Sequence, residues 1–326
     1  MTMDDALHYL LYNAAKALSP FMQRESYLYW PYIASSIVIA LAAWRWLGAA
    51  GEPRRPWGDF WREYFGPQLW FHRSAIADYW LYFANALLIP ALFVFLVVDE
   101  RQLAALIGFP LTGAAEGVAV RVLYTVVFFF AYDFGRFVAH CLLHDVPALW
   151  EFHKIHHSAE VLTPMTTYRA HPVELLLMAW GPLLATALVT VAFNVAVPGA
   201  IGVYTFLGWH VAFFAFNLVD NLRHSPVWLS YGPAWGRWLV SPAHHQLHHS
   251  CEPRHFGCNR GFELAIWDRL YGTLYVPGMQ PEKFRMGLGD GSEARYHRLD
   301  TMYFLPFATA ARELANFAKR ALRLAS

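Results

Sequence analysis

Residues 118–157 read VAVRVLYTVVFFFAYDFGRFVAHCLLHDVPALWEFHKIHH. The first part is an apolar run of the length that crosses a bilayer core of roughly 30 Å, which takes about 20 helical residues. A span over about 118–138 is expected, less pure than an ideal one because Arg121, Asp133 and Arg136 sit near its ends. The second part is crowded with imidazoles. Positions i, i+3 and i+4 share one face of a helix, so His140 and His144 form one array and His153, His156 and His157 another. A hundred residues later SPAHHQLHHS (241–250) repeats the pattern with His245, His248 and His249.

Composition agrees with a membrane chain. Of 326 residues, 57% are hydrophobic and 15% are charged, well under the roughly 25% charged usual in soluble domains. The formal net charge of +1 gives no electrostatic footprint for nucleic acid. Cys141, Cys251 and Cys258 make no CxxC pair, so neither a disulfide framework nor a zinc ribbon is indicated. No linker, low-complexity tract or fixed-period repeat divides the chain, which reads as one integrated unit. The start MTMDDALHYLLYNAAKAL is acidic and mixes polar with apolar residues, the wrong pattern for a secretory signal, so insertion is expected to rely on internal spans.

Hydropathy places further spans at 27–47 and 79–98, and a hairpin of two spans over 173–222 broken by VPG at 197–199. The segment between the first two spans holds Arg45, Arg54, Arg55, Arg62 and Arg73, whereas the loop after the second holds Arg101 beside Asp99 and Glu100. By the positive-inside rule the arginine-rich loop is cytoplasmic. Counting crossings from it brings every histidine cluster to the cytoplasmic side. The expected architecture is all-α: a multi-pass transmembrane helical bundle with a cytoplasmic helical cap carrying a histidine-rich di-metal site.

Three imidazole arrays on one side of a membrane are costly without a shared cation, because protonated rings repel and polar rings resist desolvation. Eight histidines exceed what one ion takes, and adjacent histidines about 100° apart can lean toward two neighbouring ions. Imidazole alone does not select among iron, zinc, copper and nickel. No Ser/His/Asp elbow, P-loop or GxGxxG is present, so hydrolysis, phosphoryl transfer and internal nicotinamide chemistry lack support.

HCLLH (140–144), HKIHHS (153–158) and HQLHHS (245–250), in this order, resemble the histidine boxes of the fatty acid hydroxylase/sterol desaturase superfamily of integral-membrane non-haem di-iron oxygenases. TTYRAHPVE (166–174) is similar to that family's R-x-HP-x-E segment, AIWDRLYGTLY (265–275) to its closing motif, and SPAHHQLHHS to a form seen in alkylglycerol monooxygenases. The resemblance covers about residues 120–275. It implies His140, His144, His153, His156, His157, His245, His248 and His249 as ligands, with a ninth from the last membrane helix, a position that falls to His224. Some members carry another histidine four residues earlier. Asp220 stands there, as a tenth ligand, a partner orienting His224, or a helix-end cap.

Other residues are assigned around that set. His244 points off the ligand face, toward second-sphere or substrate-entrance duty. His171 is structural or supports the site. Asp268 is a candidate partner for a ligand imidazole N–H. His210, fourteen residues before His224 and about 21 Å along one helix at 1.5 Å per residue, is excluded from the metal site. With Asn217 it lines a lipid tunnel or is a satisfied intramembrane histidine. His8, His72, His255 and His297 are expected at surfaces. The chain is divided into an N-terminal segment (1–26), a membrane-embedded hydroxylase domain (27–275) and a cytoplasmic tail (276–326), whose residues 307–325 fit an interfacial amphipathic helix.

The resemblance implies two iron ions, with zinc able to substitute in a purified sample, and O2. It implies electrons from a separate ferredoxin or cytochrome b5 type protein with its reductase, and a membrane lipid substrate: acyl, sterol, ether-lipid or amino-lipid. The location is a bacterial inner membrane or the endoplasmic reticulum. Hydroxylation is the expected outcome, desaturation on the same site the alternative, and a histidine-lined metal transporter the reading from another class. A transporter places its ligands mid-membrane, whereas these clusters fall at span ends.

Overall fold

Two glycines set the central crossing of the molecule. The computed structural model describes residues 18–24, 26–46, 56–93, 117–197 and 202–325, with isolated positions at 8, 11, 12, 15 and 103. Its principal helices are α1 (Trp30–Trp46), α2 (Trp57–Phe65), α3 (Arg73–Phe93), α4 (Val118–Asp145), α5 (Pro147–His157), α6 (Pro172–Ala196), α7 (Val211–Asp220), α8 (Pro242–His248) and α9 (Leu299–Ala325). Helices α4 and α6 run antiparallel, with Tyr124 Oη 2.8 Å from Thr190 Oγ1 at one level and Gly135 against Gly181 at another. A Cβ on either glycine would come within 2.5 Å of the other's carbonyl oxygen. Removing both lets the backbones touch, which is how helices associate where lipid offers no hydrophobic drive.

Both helices are long and apolar enough to cross a membrane, yet only 28% of the spanning window of α4 and 22% of that of α6 is buried. A core helix of a soluble protein has the opposite balance. Val122, Val126 and Phe130 on α4 and Leu184 and Leu188 on α6 face outward. Contiguous apolar surface of this kind marks a lipid-facing belt.

The other helices follow this axis. Tyr32 of α1 packs on Phe214, Ser35 Oγ donates to Leu218 O at 2.8 Å, and Ala40 and Ala43 meet Leu222 and Val227, so α1 lies alongside α7 and runs the same way. Helix α3 begins at the histidine end, where Ser74 Oγ accepts from Glu160 N. Farther along it, Asn85 Nδ2 donates to Ala170 O. The expected span 27–47 is therefore the 17-residue α1. The span expected at 79–98 starts earlier, at Arg73, and its residues 94–98 lie outside those described. The helix expected as the third span continues to Asp145 and itself carries His140 and His144.

The fifth span is corrected. Residues after the hairpin tip, whose Pro198 and Gly199 lie outside the described residues, do not form one long helix. They fold as a two-stranded hairpin, β1 (Thr205–Phe206) and β2 (Trp209–His210), followed by the 10-residue α7. That helix is about 15 Å long, half a bilayer core. Hydropathy does not register the break, because the turn residues are themselves apolar or small: Leu207 and Gly208 take positive φ, 51° and 87°. The freed backbone is satisfied by α4, since Tyr204 N donates to Thr125 Oγ1 at 2.9 Å and Val203 O accepts from Arg121 at 3.1 Å. Non-helical backbone at membrane depth survives only with such partners.

The C-terminal region is integral to the histidine end. Tyr296 and Met302 are buried with Ala77, Leu81 and Ile155, and Ala310 of α9 packs on Ala148 and Phe152 of α5. The outer face of α9 leaves Phe304, Leu314, Phe317 and Leu322 exposed.

Candidate metal centre

Four pieces of chain converge where α4 ends. His140 and His144 lie one turn apart on α4; the chain turns at Val146, and Pro147 opens α5 with a residue that needs no N–H donor there. Helix α5 then presents His153, His156 and His157. Helix α8 opens with Ser241 and Pro242 and carries His245 and His248, with His249 at its C-cap. His224 comes from the turn after α7.

The nine rings sort into two groups. His140, His144, His153, His157 and His248 bring one nitrogen each within 4.8 Å of one another, and so do His156, His224, His245 and His249. Neighbours in sequence divide between them: His156 from His157, and His248 from His249. In the first group Nε2 of His140 is 3.0 Å from Nε2 of His153 and 3.2 Å from that of His144; the latter is 3.2 Å from Nε2 of His248. In the second group Nε2 of His245 is 2.9 Å from that of His224 and 3.1 Å from that of His249.

The opposite ring nitrogens decide what these contacts are. Nδ1–H of His140 donates to Arg260 O at 2.7 Å, that of His248 to Cys258 O at 2.7 Å, and that of His156 to Arg169 O at 3.2 Å. A carbonyl only accepts, so these Nδ1 atoms carry the proton and the Nε2 atoms of the neutral rings are bare lone pairs. His153 Nδ1 meets Glu174 Oε1 at 2.8 Å and His224 Nδ1 meets Thr167 Oγ1 at 2.9 Å. Lone pairs aimed at one another about 3 Å apart repel unless a cation lies between them. Two nitrogens each about 2.1 Å from one ion are about 3.0 Å apart at a right angle and about 3.4 Å apart at the tetrahedral angle. The donor set fits two nitrogen-ligated ions.

Electrostatics point the same way. Burial pushes His153, His156 and His248 down to about 3. Burial, then the neighbouring rings, holds His157, His224, His245 and His249 well below their ordinary value. Rings that stay neutral keep their lone pairs free for a metal.

The surrounding residues differ in part from expectation. Asp220 is not among the grouped ligand atoms; its carboxylate pairs with Arg223 Nε at 3.1 Å. Asp268 touches no imidazole in the described contacts. It accepts from Arg260 N and Gly261 N at 2.7 and 2.8 Å, and so fixes the loop whose Arg260 carbonyl holds His140. His244 is fully buried and stands at no entrance. Its Nδ1 accepts from Ser241 N, completing a capping box at the start of α8, and its Nε2–H donates to Gly236 O at 3.0 Å. His171 caps α6 by accepting from Val173 N and donates to Tyr303 O.

His210 caps α7 rather than sitting within a long helix, and donates to Thr125 O at 2.9 Å. Thr125 lies fifteen residues before His140 on α4, about 22 Å along its axis, so His210 stays remote from the centre. Asn217 lines a small cavity with Arg136. His72 and His297 are partly buried, His8 is exposed, and His255 is fully buried, 2.8 Å from Ser250 Oγ.

Two residues escaped the sequence reading. Glu174 backs His153. Arg169, fully buried, binds Asp78 at 2.7 Å, Ile155 O at 2.8 Å and Tyr296 O at 2.9 Å, joining α3, α5 and the C-terminal region behind the centre. Both lie in the TTYRAHPVE segment, which carried the only signal for them.

A cavity of about 350 Å³ opens on the first group, lined by His144, His157, His248, Trp150, Phe256 and Leu288 among others. The Trp150 ring lies 5.3 Å from that of His144 and 5.2 Å from that of His157. A second cavity of about 300 Å³, with Ile33, Ile37, Phe60, Leu162, Met165 and Leu222 in its wall, presents no polar surface.

Residues 125–273 match the family model described as fatty acid hydroxylase, a range that includes all nine histidines. Ornithine lipid hydroxylase OlsE of Rhizobium tropici is 31% identical over 146 residues, 44% of this chain and 40% of that protein. Alkylglycerol monooxygenase of Xenopus tropicalis is 29% identical over 164 residues, 49% of this chain and 32% of that protein. Cholesterol 25-hydroxylase of Homo sapiens is 29% identical over 144 residues, 44% of this chain and 48% of that protein. The chain thus spans less than half the length of each of these relatives. No solved structure matches it. Residues 125–273 are similar to the fatty acid hydroxylase family.

Proposed function

We propose that the protein is a multi-pass membrane oxygenase that uses two irons and O2 to hydroxylate a C–H bond of a membrane lipid, with its centre on the cytoplasmic face. The observation that carries this is the division of nine neutral imidazoles, eight of them buried and His144 partly so, into groups of five and four, with a cavity opening on the first group. Irons bound there supply O2 activation for the overall change R–H + O2 + 2 e⁻ + 2 H⁺ → R–OH + H2O. Five nitrogens in the first group, one more than a tetrahedral set takes, support iron over tetrahedral zinc. The similar proteins are hydroxylases and monooxygenases of lipids, which supports the reaction class.

The chain's own residues give the reaction its setting. Carbonyls of Arg260, Cys258 and Arg169 fix ring orientation, and the Glu174 carboxylate raises the basicity of His153. Trp150 walls the cavity on the first group and keeps a substrate chain against His144 and His157. The wholly apolar cavity offers room for a lipid tail that arrives without crossing water. Electrons come from a separate carrier of the ferredoxin or cytochrome b5 type. Arg62 and Arg73, from the arginine-rich loop, support the cytoplasmic assignment.

The test is reaction of iron-loaded protein in lipid nanodiscs with reductant, electron carrier and 18O2. Lipid carrying one 18O atom is expected. Lipid lighter by two hydrogens and free of 18O would assign desaturation, and no oxidised lipid across acyl, sterol, ether and amino-lipid classes would reject the oxygenase reading.

A further inference from the structure

One turn before His140, the Arg136 guanidinium faces a cavity of about 170 Å³ lined by Ser26, Tyr27, Tyr132, Trp209, Phe213 and Asn217. Its hydrogen bonds are long: 3.4 Å to Glu263 Oε1 and 3.4 Å to Tyr27 Oη. Trp209, which also lines the cavity, has a buried Nε1 donor with no hydrogen-bond partner among the described residues. An unmade buried hydrogen bond is costly, so two donors at one small cavity call for an acceptor.

Charge decides what kind. Arg136 already faces Glu263, which also takes Arg223 at 2.7 Å, while Arg223 pairs with Asp220. The nearby Asp133 is engaged by Glu263 N, Leu264 N and Trp267 Nε1. The positive charges are matched before any ligand arrives, and a further anion would meet three carboxylates. The volume excludes a whole headgroup. Arg136 keeps 15% of its side chain exposed, so the cavity can be reached from outside.

We propose that this cavity is a binding site for an uncharged acceptor, the ester or amide carbonyl of a membrane lipid, held by Arg136 and Trp209. This deepens the hydroxylase reading and rests on it for the identity of the lipid as substrate. Phe262 lies between cavity and metal centre, 3.8 Å beneath the guanidinium carbon and 5.2 Å between ring centroids from His140. With Arg136 and His140 about 6 Å apart along α4, a carbonyl held here directs oxidation to carbons close to it rather than far along the chain.

The test uses full-length protein in nanodiscs and Trp209→Phe, which removes the N–H and keeps the ring. With an ester lipid labelled with carbon-13 at its carbonyl, difference infrared spectroscopy on metal-free protein should show a hydrogen-bonded carbonyl band, downshifted from the bulk lipid and lost in the variant. Loss of one hydrogen bond should raise KM for the ester lipid about three- to tenfold, while an ether analogue lacking the carbonyl is unaffected and metal content is unchanged. The infrared arm needs no turnover, so a shifted band with no oxidation would defeat the hydroxylase reading and leave the site standing. No shifted band in the wild type, meaning water alone fills the cavity, overturns the proposal. So does equal impairment of ester and ether substrates.

Discussion

His156 and His157 are adjacent, yet their ring nitrogens belong to different groups; helical geometry, 100° per residue, lets one short peptide face both groups. Replacing His156 or His248 by Ala should lose metal and oxidation together, because each removes a nitrogen that no neighbour replaces. His210→Ala should keep full metal content, and metal analysis beside product yield for each variant checks this. Glu174→Gln should weaken metal affinity or activity by about 10- to 100-fold, the usual cost of disturbing a ligand's carboxylate partner; titration with Fe(II) under anaerobic conditions reads it. His244 and His171 are both pushed down to about 4 from the ordinary 6.5 by burial. The unfolded chain therefore binds protons between pH 6.5 and 4 that the folded chain refuses, so their contribution to stability is complete above 6.5 and falls as pH drops toward 4. The thermal midpoint should fall over that window, and less steeply in His171→Gln. The grouped histidines were legible because repeated spacing is a pattern. Arg169 and Glu174 were not, because an arginine just before an apolar helix, or a glutamate in its first turn, looks like any other until its partners are known.

At the scale of elements, the crossing of α4 and α6 carries the site, since their histidine-end termini set the distance between His140 and the Glu174 that backs His153. Gly181→Leu would drive a side chain into the Gly135 carbonyl. Overpacking of this kind costs about 1–3 kcal/mol, and here it should also spread the helices and lower metal occupancy, measurable as a lower thermal midpoint with fewer ions bound. Gly135→Ala, a smaller intrusion at the same crossing, should show the same changes more weakly. Hydropathy found α4 and α6 because each is a long continuous apolar helix. It misread residues 202–222, because Leu207 and Gly208 turn the chain with residues no hydropathy scale distinguishes from helix interior.

For the whole molecule, the end of α4, the starts of α3 and α6, and the turn after α7 lie together around the nine histidines, while Tyr124, Thr190 and Arg121 mark the opposite end. The expected crossing pattern, with residues 50–75, 140–172 and 225–326 on one side and the tip at 197–199 on the other, is a prediction that this arrangement supports. Labelling of single cysteines at exposed positions of these segments in intact cells should divide them so, and Val197 labelling with the histidine side would overturn the arrangement. The tail was legible as an amphipathic helix from its own periodicity. Its packing on α5 through Ala310, Tyr296 and Met302 was not, because nothing in 276–326 names the surface it meets. The central claim is that nine imidazoles hold two metals in one centre. Elemental analysis of protein loaded anaerobically with Fe(II) and freed of loose metal tests it most directly: two irons per chain are predicted, falling below one in His248→Ala, and a single iron per chain in the fully loaded wild type would contradict the account.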